Sequence, residues 1–307
     1  MNSQVEKKIE DTSRMERRPK VSVCVVTYNQ EKYIGQCLQS LVDQKTNFDF
    51  EIIVGDDCST DGTREIVRQF QEKYPNIVKP IFHEKNLGPC RNVIAVYTAA
   101  SADYICHMDG DDYALPGKLQ AQVDVLDNNS DCVVVWHRMK ILDEKSSIFY
   151  DDLIDLEKIG KHVFTQRDLM MLGSIACHSS KCFRKNTLPK YYPSQDFMDF
   201  FLNVVNLSHG TGVYLNDVLG VYRSGVGLTQ SPKIKETFLR NLRMLLKEYP
   251  ENSSDLGVLF LKTALINIKN NQDVALGLKL LLEFFRPSVV MNFLRTYRYI
   301  KFFRSPI

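Results

Sequence analysis

Tyr104-Ile105-Cys106-His107-Met108-Asp109-Gly110-Asp111-Asp112 is the stretch on which the reading of this chain turns. Its first five residues form a mostly apolar run of strand length, and its last four form an acidic turn. Leu115-Pro116 beyond it reads as a helix start. Carboxylates crowded at the end of a buried strand repel one another and must be desolvated together. Folding alone rarely requires that, whereas a hard divalent cation does. In extended backbone Asp109 and Asp111 project from one side, because the side-chain period of a strand is two. They can chelate an ion together, or one can bind metal while its neighbour holds a ribose. The competing reading is a solvated acidic turn that caps the next helix.

Upstream, Val21-Ser22-Val23-Cys24-Val25-Val26 predicts a strand buried on both faces, ended by Thr27-Tyr28-Asn29-Gln30. A helical stripe of Tyr33, Ile34, Cys37, Leu38, Leu41 and Val42 follows. Glu51-Ile52-Ile53-Val54 predicts the second strand, residues 55–62 a polar turn, and residues 63–74 a helix. A third strand is expected over 77–82, and Gly88-Pro89 opens a helix reaching residue 100. Strand and helix alternating at this spacing predict a parallel α/β sheet. Ligands of such sheets bind beyond the carboxyl ends of the strands. The turns at 27–29, 56–61 and 109–112 all sit at such ends, so one rim collects them. Ser59, Thr60 and Asp61 equally suit a helix cap, while Asp56 and Asp57 lie upstream of that cap.

After residue 126 the rhythm loosens. Strands are expected over 132–139 and 175–183, with an acidic loop over 143–162. A helix is expected over 197–208, burying Phe201, Val204, Val205 and Ser208. A strand within 213–223 leads to the loop Gly225-Val226-Gly227, and only helices are expected from 233 onward. The organisation expected is therefore a leader (1–18), an α/β unit (19–230, with halves 19–127 and 128–230) and a helical extension (231–307).

The chain has 307 residues, 44% apolar and 25% charged, enough to bury a sizeable core. Its 39 basic residues face 37 acidic ones, a balance that argues against a dedicated nucleic-acid binder. The eight cysteines are scattered, and Cys24, Cys106 and Cys132 lie inside strand-like runs, as free thiols do in a reducing compartment. Cys177-His178 with Cys182 superficially suits zinc but lacks a second pair nearby. The polar first 18 residues read as neither signal peptide nor membrane span, so the expected location is cytoplasmic, with the inner face of the cell membrane as a peripheral option.

Several segments in order resemble the family-2 glycosyltransferases, which have the GT-A fold. They are Val21 through Asn29, Cys37-Leu38-Gln39-Ser40-Leu41-Val42-Asp43-Gln44, the run from Glu51 through Thr63, Asn86-Leu87-Gly88-Pro89-Cys90-Arg91-Asn92, and the acidic tetrad. The match extends over residues 19–229. The resemblance implies a Rossmann-like, mostly parallel sheet flanked by helices, and a bacterial polysaccharide-biosynthesis enzyme that inverts the anomeric centre. It implies that Thr27, Tyr28 and Asn29 line the nucleotide site and that the Asp56-Asp57 turn holds the base, Asp57 accepting from a uracil-type imide. Arg91 corresponds to a position near the diphosphate or donor sugar, and its other reading is a surface ion pair. Asp109, with Gly110, binds ribose and shares with Asp111 a Mn²⁺ or Mg²⁺ ion; Asp112 supports them.

The same resemblance makes Asp199, at the start of the 197–208 helix, the catalytic base, with Asp196 as the competing register. His178 and Ser179 correspond to a segment lining the acceptor cleft, and Val221-Tyr222-Arg223 to the family's closing element. A histidine often follows that element, but Ser224-Gly225-Val226-Gly227 contains none. The implied partners are a nucleotide-sugar donor, UDP-linked by preference, and a glycan or lipid-linked glycan acceptor. Residues 284–304 interleave basic and aromatic side chains with no acidic residue, which suits contact with an anionic membrane or, alternatively, a helical lid on the core. Two rivals are a nucleotide-sugar-binding protein without transfer activity and a nucleotidyltransferase. The second would carry a glycine-rich, basic loop after the first strand, which Thr27-Tyr28-Asn29-Gln30 is not.

Overall fold

The computed structural model describes residues 18–152, 154–226, 233–269 and 274–300. The expected leader over 1–18 falls almost wholly outside them, as do Gly227 and the chain beyond residue 300.

The first half alternates as its periodicity requires: β1 (Val21–Thr27), α1 (Ile34–Val42), β2 (Phe50–Asp56), α2 (Thr63–Lys73), β3 (Val78–Phe82), α3 (Pro89–Ala99) and β4 (Tyr104–Asp109). β3, β2, β1 and β4 lie side by side in that order, all parallel, with Val26 level with Asp109 and Thr27 level with Asp56. The three polar turns therefore leave the same edge of the sheet. Successive strand residues serve opposite faces, as a period of two demands. Val21, Val23 and Val25 pack with α1, whereas Cys24, Ile53 and Ile105 pack with Val93, Val96 and Tyr97 of α3. Burying each such Val or Leu contributes about 1.5–3 kcal/mol.

The second half adds β5 (Tyr113–Ala114), α4 (Lys118–Asn128), β6 (Cys132–Asp143), β7 (Ile148–Tyr150), α5 (Leu156–Ile159), β8 (Val163–Phe164), α6 (Gln166–Leu172), β9 (Cys182–Arg184), α7 (Asp199–Leu207) and β10 (Thr211–Ser224). β9 runs antiparallel between β4 and β6, and β10 pairs parallel to β6, so one mixed, mostly parallel sheet joins both halves. The extension holds α8 (Lys233–Glu248), α9 (Ser253–Lys269), α10 (Val274–Phe284) and α11 (Pro287–Ile300).

Three local expectations need correction. The strand expected over 175–183 is confined to β9, preceded by a single 3₁₀ turn at His178–Ser180 that redirects the backbone. The acidic loop over 143–162 carries β7 and α5, the latter capped by Asp155 accepting from the Lys158 amide. Ser208 is exposed just past α7, while the helix buries Phe200 through Leu207 on all sides because it is sandwiched between the sheet and the extension.

Candidate functional site

At the first rim turn, Thr27 is buried, and Tyr28 and Asn29 are exposed at the lip. Asn29 takes a left-handed backbone (φ 51°), which asparagine tolerates better than most residues. Its amide donates to Ser59 Oγ (2.9 Å) and its side-chain oxygen accepts from the Thr60 amide (2.8 Å), tying the first turn to the second.

In the second turn the two aspartates separate. Asp56 is fully buried; its Oδ2 pairs with Arg64 Nε (2.5 Å) and accepts from the Ser59 amide (3.2 Å). It therefore fixes the turn through Oδ2, while its other oxygen, Oδ1, is buried without a hydrogen-bond partner among the described residues. Asp57 accepts from the Leu87 amide at Oδ1 (2.6 Å) and from the Gly88 amide at Oδ2 (2.9 Å). Each carboxylate oxygen retains a lone pair after these bonds. Gly88 has φ 85°, a conformation glycine adopts without strain, and it delivers the chain into α3 with Arg91 exposed on the first turn.

The acidic tetrad closes the rim. Gly110 passes so near Thr27 and Gln30 that a Cβ there would lie 2.9 Å from Thr27 Cβ and 2.5 Å from Gln30 Oε1. Asp109 Oδ1 lies 3.1 Å from His107 Nε2, and the Asp109 amide donates to Ser179 Oγ (3.0 Å). Asp111 is half-buried and receives a hydrogen bond from Gln30; burial first, and then the Asp109 charge, push its carboxyl up to about 6. Asp112 is buried. It accepts from Ser179 Oγ (2.5 Å) and the Arg223 amide (2.9 Å), and burial with its two acidic neighbours raises its pKa well above the ordinary value of the group. Asp112 is thus a brace between the tetrad, the 178–180 turn and β10, whereas Asp109 and Asp111 remain partly open.

Arg223 is buried with its guanidinium 5.1 Å from the Tyr33 ring centre and 5.0 Å from that of Tyr113. It is further held by Gln36 and by Glu144 (3.1 Å). From this clamp its charge favours the ionised form of Asp111.

Oxygen donors from Asp109 and Asp111, crowded so that burial and the Asp109 charge both disfavour an ionised Asp111, suit a hard divalent ion such as Mg²⁺ or Mn²⁺ that would offset that charge. A different trio, His107, Asp109 and His178, has ligating atoms within 4.8 Å of one another. Its rings argue against chelation: they stack with centres 3.5 Å apart and planes 16° from parallel, so in-plane lone pairs from both cannot meet at one ion. The His107 nitrogens are also engaged, Nδ1 with Tyr97 Oη (3.0 Å) and Nε2 with Asp109. His178 is held neutral, its pKa pushed well below 6.5 by burial, His107 and Lys181. It occupies the 3₁₀ turn, not the strand expected for it. Cys177 and Cys182 are free thiols in no metal-like group among the described residues.

On α7, Asp199 occupies the first turn and is half-buried. Burial raises its pKa, while Lys181 and its own helix amide at Phe200 (2.8 Å) oppose the rise. The Asp109 charge adds to the rise and His107 opposes it, so Asp199 lies within electrostatic reach of the end of β4. Asp196 is exposed, and its backbone carbonyl accepts from Asn241.

Sequence reading passed over two fully buried lysines beside this site. Lys118 Nζ donates to Gln122 Oε1 (3.1 Å) and the Ser179 carbonyl (3.0 Å) and meets His137 Nε2 (3.0 Å). Lys181 Nζ donates to Asn203 Oδ1 (3.0 Å). The available signal for Lys181 was a charge adjoining the apolar Cys182-Phe183 with no acidic residue nearby in sequence.

The family model described as Glycosyl transferase family 2 matches residues 22–191. A glycosyltransferase of Nostoc, alr2836, is 31% identical over 177 residues, covering 57% of this chain and 53% of its own. The chain spans little more than half the length of such curated relatives. Among solved structures, residues 1–349 of TarS from S. aureus in complex with UDP-GlcNAc superpose with a TM-score of 0.65 at 21% identity, over 94% of this chain and 90% of that one. The mannosyltransferase PcManGT of Pyrobaculum calidifontis, in complex with GDP-Man and Mn²⁺, gives 0.56 at 17% identity, over 93% and 86%. These similarities establish the GT-A-type α/β fold expected from the sequence.

Proposed function

The chain belongs to glycosyl transferase family 2, and from that membership we propose that it moves a sugar from a nucleoside-diphosphate donor to an acceptor hydroxyl by a single, inverting displacement. The observation that supports this reading is the common sheet edge that gathers the turns of Asp57, Asp109 and Asp111, with Asp109 close enough for its charge to act on Asp199. The UDP-GlcNAc bound by a structural neighbour favours a uridine donor. In this reading Thr27, Tyr28, Asn29 and Asp57 receive the base. Asp109 and Gly110 receive the ribose, and Arg91, at the start of α3, faces the diphosphate or donor sugar. Asp111 and Asp109 would hold a Mg²⁺ or Mn²⁺ ion, which would supply positive charge against that growing on the departing diphosphate. Arg223 lends the same site a fixed positive charge from its tyrosine clamp.

Asp199 accepts the proton of the acceptor hydroxyl as that oxygen attacks the anomeric carbon from the face opposite the leaving group. Asp112 and Ser179 hold the donor and acceptor sides in register through their short hydrogen bond. His178, neutral and stacked on His107, serves as a wall of the acceptor cleft.

The acceptor in this reading is a glycan or lipid-linked glycan, met at the inner face of an anionic membrane. α10, α11 and the link between them bury Leu280, Phe284 and Val289 yet leave Leu278, Leu282, Phe285, Met291, Leu294 and Tyr297 exposed. Leu282 is 88% exposed. Arg286 and Arg295 are exposed beside them, and the acidic Glu283 pairs with Arg243 (3.7 Å). Apolar side chains rimmed by uncompensated basic ones suit an anionic bilayer surface. No helix among the described residues is long and apolar enough to cross a membrane.

Asp199→Asn tests the reading. Transfer is expected to vanish while calorimetric affinity for UDP with Mn²⁺ stays within about twofold, because an isosteric amide leaves the donor half untouched. Near-wild-type turnover in Asp199→Asn would remove the base assignment.

A further inference from the structure

Lys181 is the least expected charge in the core. It is fully buried, its chain continues into β9, and its carbonyl accepts from the His107 amide (3.0 Å). Its ammonium is fixed on two sides, by Asn203 Oδ1 at 3.0 Å and by the face of Phe183, whose ring centre is 4.5 Å away. Neither partner carries a charge, so the nearest compensation must come from elsewhere. Asn203 lies one helical turn beyond Asp199 on α7, so the two project from the same face of the helix. The anchor that holds Lys181 therefore aims its ammonium along the face that carries Asp199.

We infer that Lys181 is the positioning residue of Asp199, a buried cation that keeps this carboxylate ionised and turned toward the cleft. The inference rests on the base role proposed for Asp199. Burial of an isolated lysine normally costs several kcal/mol and is tolerated where an anion compensates it. Here the compensation is mutual. Burial, opposed by the Asp199 charge, leaves the Lys181 pKa lowered to about 8, and burial raises that of Asp199 with Lys181 as the leading influence against the rise. The other groups in the field of Asp199 give no such support from a permanent charge. Asp109 on β4 repels it, Tyr97 on α3 and Cys177 are neutral neighbours, and His107 is engaged with Tyr97 and Asp109. A methionine would fill the same space without charge, so packing does not call for lysine at this position.

The test is the pH dependence of transfer by the full chain, loaded with Mn²⁺ and a UDP-sugar, for wild type, Lys181→Met and Lys181→Gln. Opposite charges at close range lower a carboxylate pKa by about 1–3 units. Both variants are therefore expected to move the acid limb of kcat/KM upward by about one unit, a tenfold loss at the acid end that vanishes at high pH. UDP affinity is expected to stay unchanged. The amide introduced by Lys181→Gln can keep the bond to Asn203 without the charge. A shift in Lys181→Met alone would therefore assign the effect to that bond and overturn the electrostatic role. An unshifted limb in both variants would overturn it too, while an inactive Asp199→Asn measured alongside would leave the base standing. An active Asp199→Asn would remove the base itself. Should neither variant fold, the carboxyl carbon of Asp199 can be titrated by NMR in wild-type protein, with Asp199→Asn identifying the resonance. Titration above neutrality there would contradict the inference, and titration well below it would support it.

Discussion

Arg64 shows how a residue outside the cleft controls one inside it. Its guanidinium pairs with buried Asp56 and donates to the His83 carbonyl, so the turn that presents Asp57 is held from beneath. Removing one partner of a buried ion pair costs about 3–5 kcal/mol, because the other charge is left without compensation. Arg64→Ala is therefore expected to lower the thermal midpoint measurably and to weaken UDP binding. An unchanged melt would mean that Asp56 finds another partner. The division of labour within Asp56-Asp57 was not legible in the sequence, where the residues are equivalent neighbours. It depends on Arg64 eight positions later and on the Leu87 and Gly88 amides thirty positions later. In the tetrad, the buried strand end was legible from the sequence, whereas Asp112 separates from Asp111 only through contacts with Ser179 and Arg223.

At the scale of elements, the parallel half of the sheet follows directly from its pattern. β-branched runs of strand length alternate with amphipathic helices, and each strand ends in a polar turn. The second half resisted the same reading because its elements do not repeat a single unit. β9 is three residues long, its neighbourhood is set by the 3₁₀ turn, and α7 is apolar on all sides because two layers cover it. The extension was legible as helices, and the structure adds which side of α10 and α11 stays uncovered. Replacing Leu282 and Phe285 together with Glu is expected to abolish co-sedimentation of the full chain with phosphatidylglycerol vesicles. It should leave UDP binding unchanged, and raised salt should weaken wild-type sedimentation. Equal sedimentation with phosphatidylcholine vesicles, or a dimer in light scattering that the double variant dissolves, would contradict the membrane role.

Across the whole molecule the carboxylates make opposite demands on pH. Folded Asp111 takes up a proton near pH 6, against 3.8 for the ordinary group, and Asp112 shifts in the same direction. Between these values the folded state binds more protons than the unfolded chain, so stability falls as pH rises through about 6. Glu51 acts in reverse: hydrogen bonds from Lys79, Ser22 and Ser101 outweigh burial and lower it from 4.5 to about 2, so its contribution is lost as pH falls through that range. His137 and His178, with pKa values that burial pushes well below 6.5, act in the opposite sense over the same window, so the Asp111 contribution is read as a difference between proteins. Metal-free wild type is expected to gain less melting temperature, or lose more, between pH 5 and pH 7 than Asp111→Asn, and a divalent cation should narrow that difference at pH 7. Identical pH profiles for the two proteins would contradict this picture of the rim. The most direct measurement of the central claim is release of nucleoside diphosphate from a panel of nucleotide sugars, with and without Mn²⁺, by wild type and Asp111→Ala. The account predicts that wild type consumes a UDP-sugar only when the cation is present and that Asp111→Ala fails to do so. Consumption that survives both chelation and Asp111→Ala, or no consumption of any donor, would contradict it.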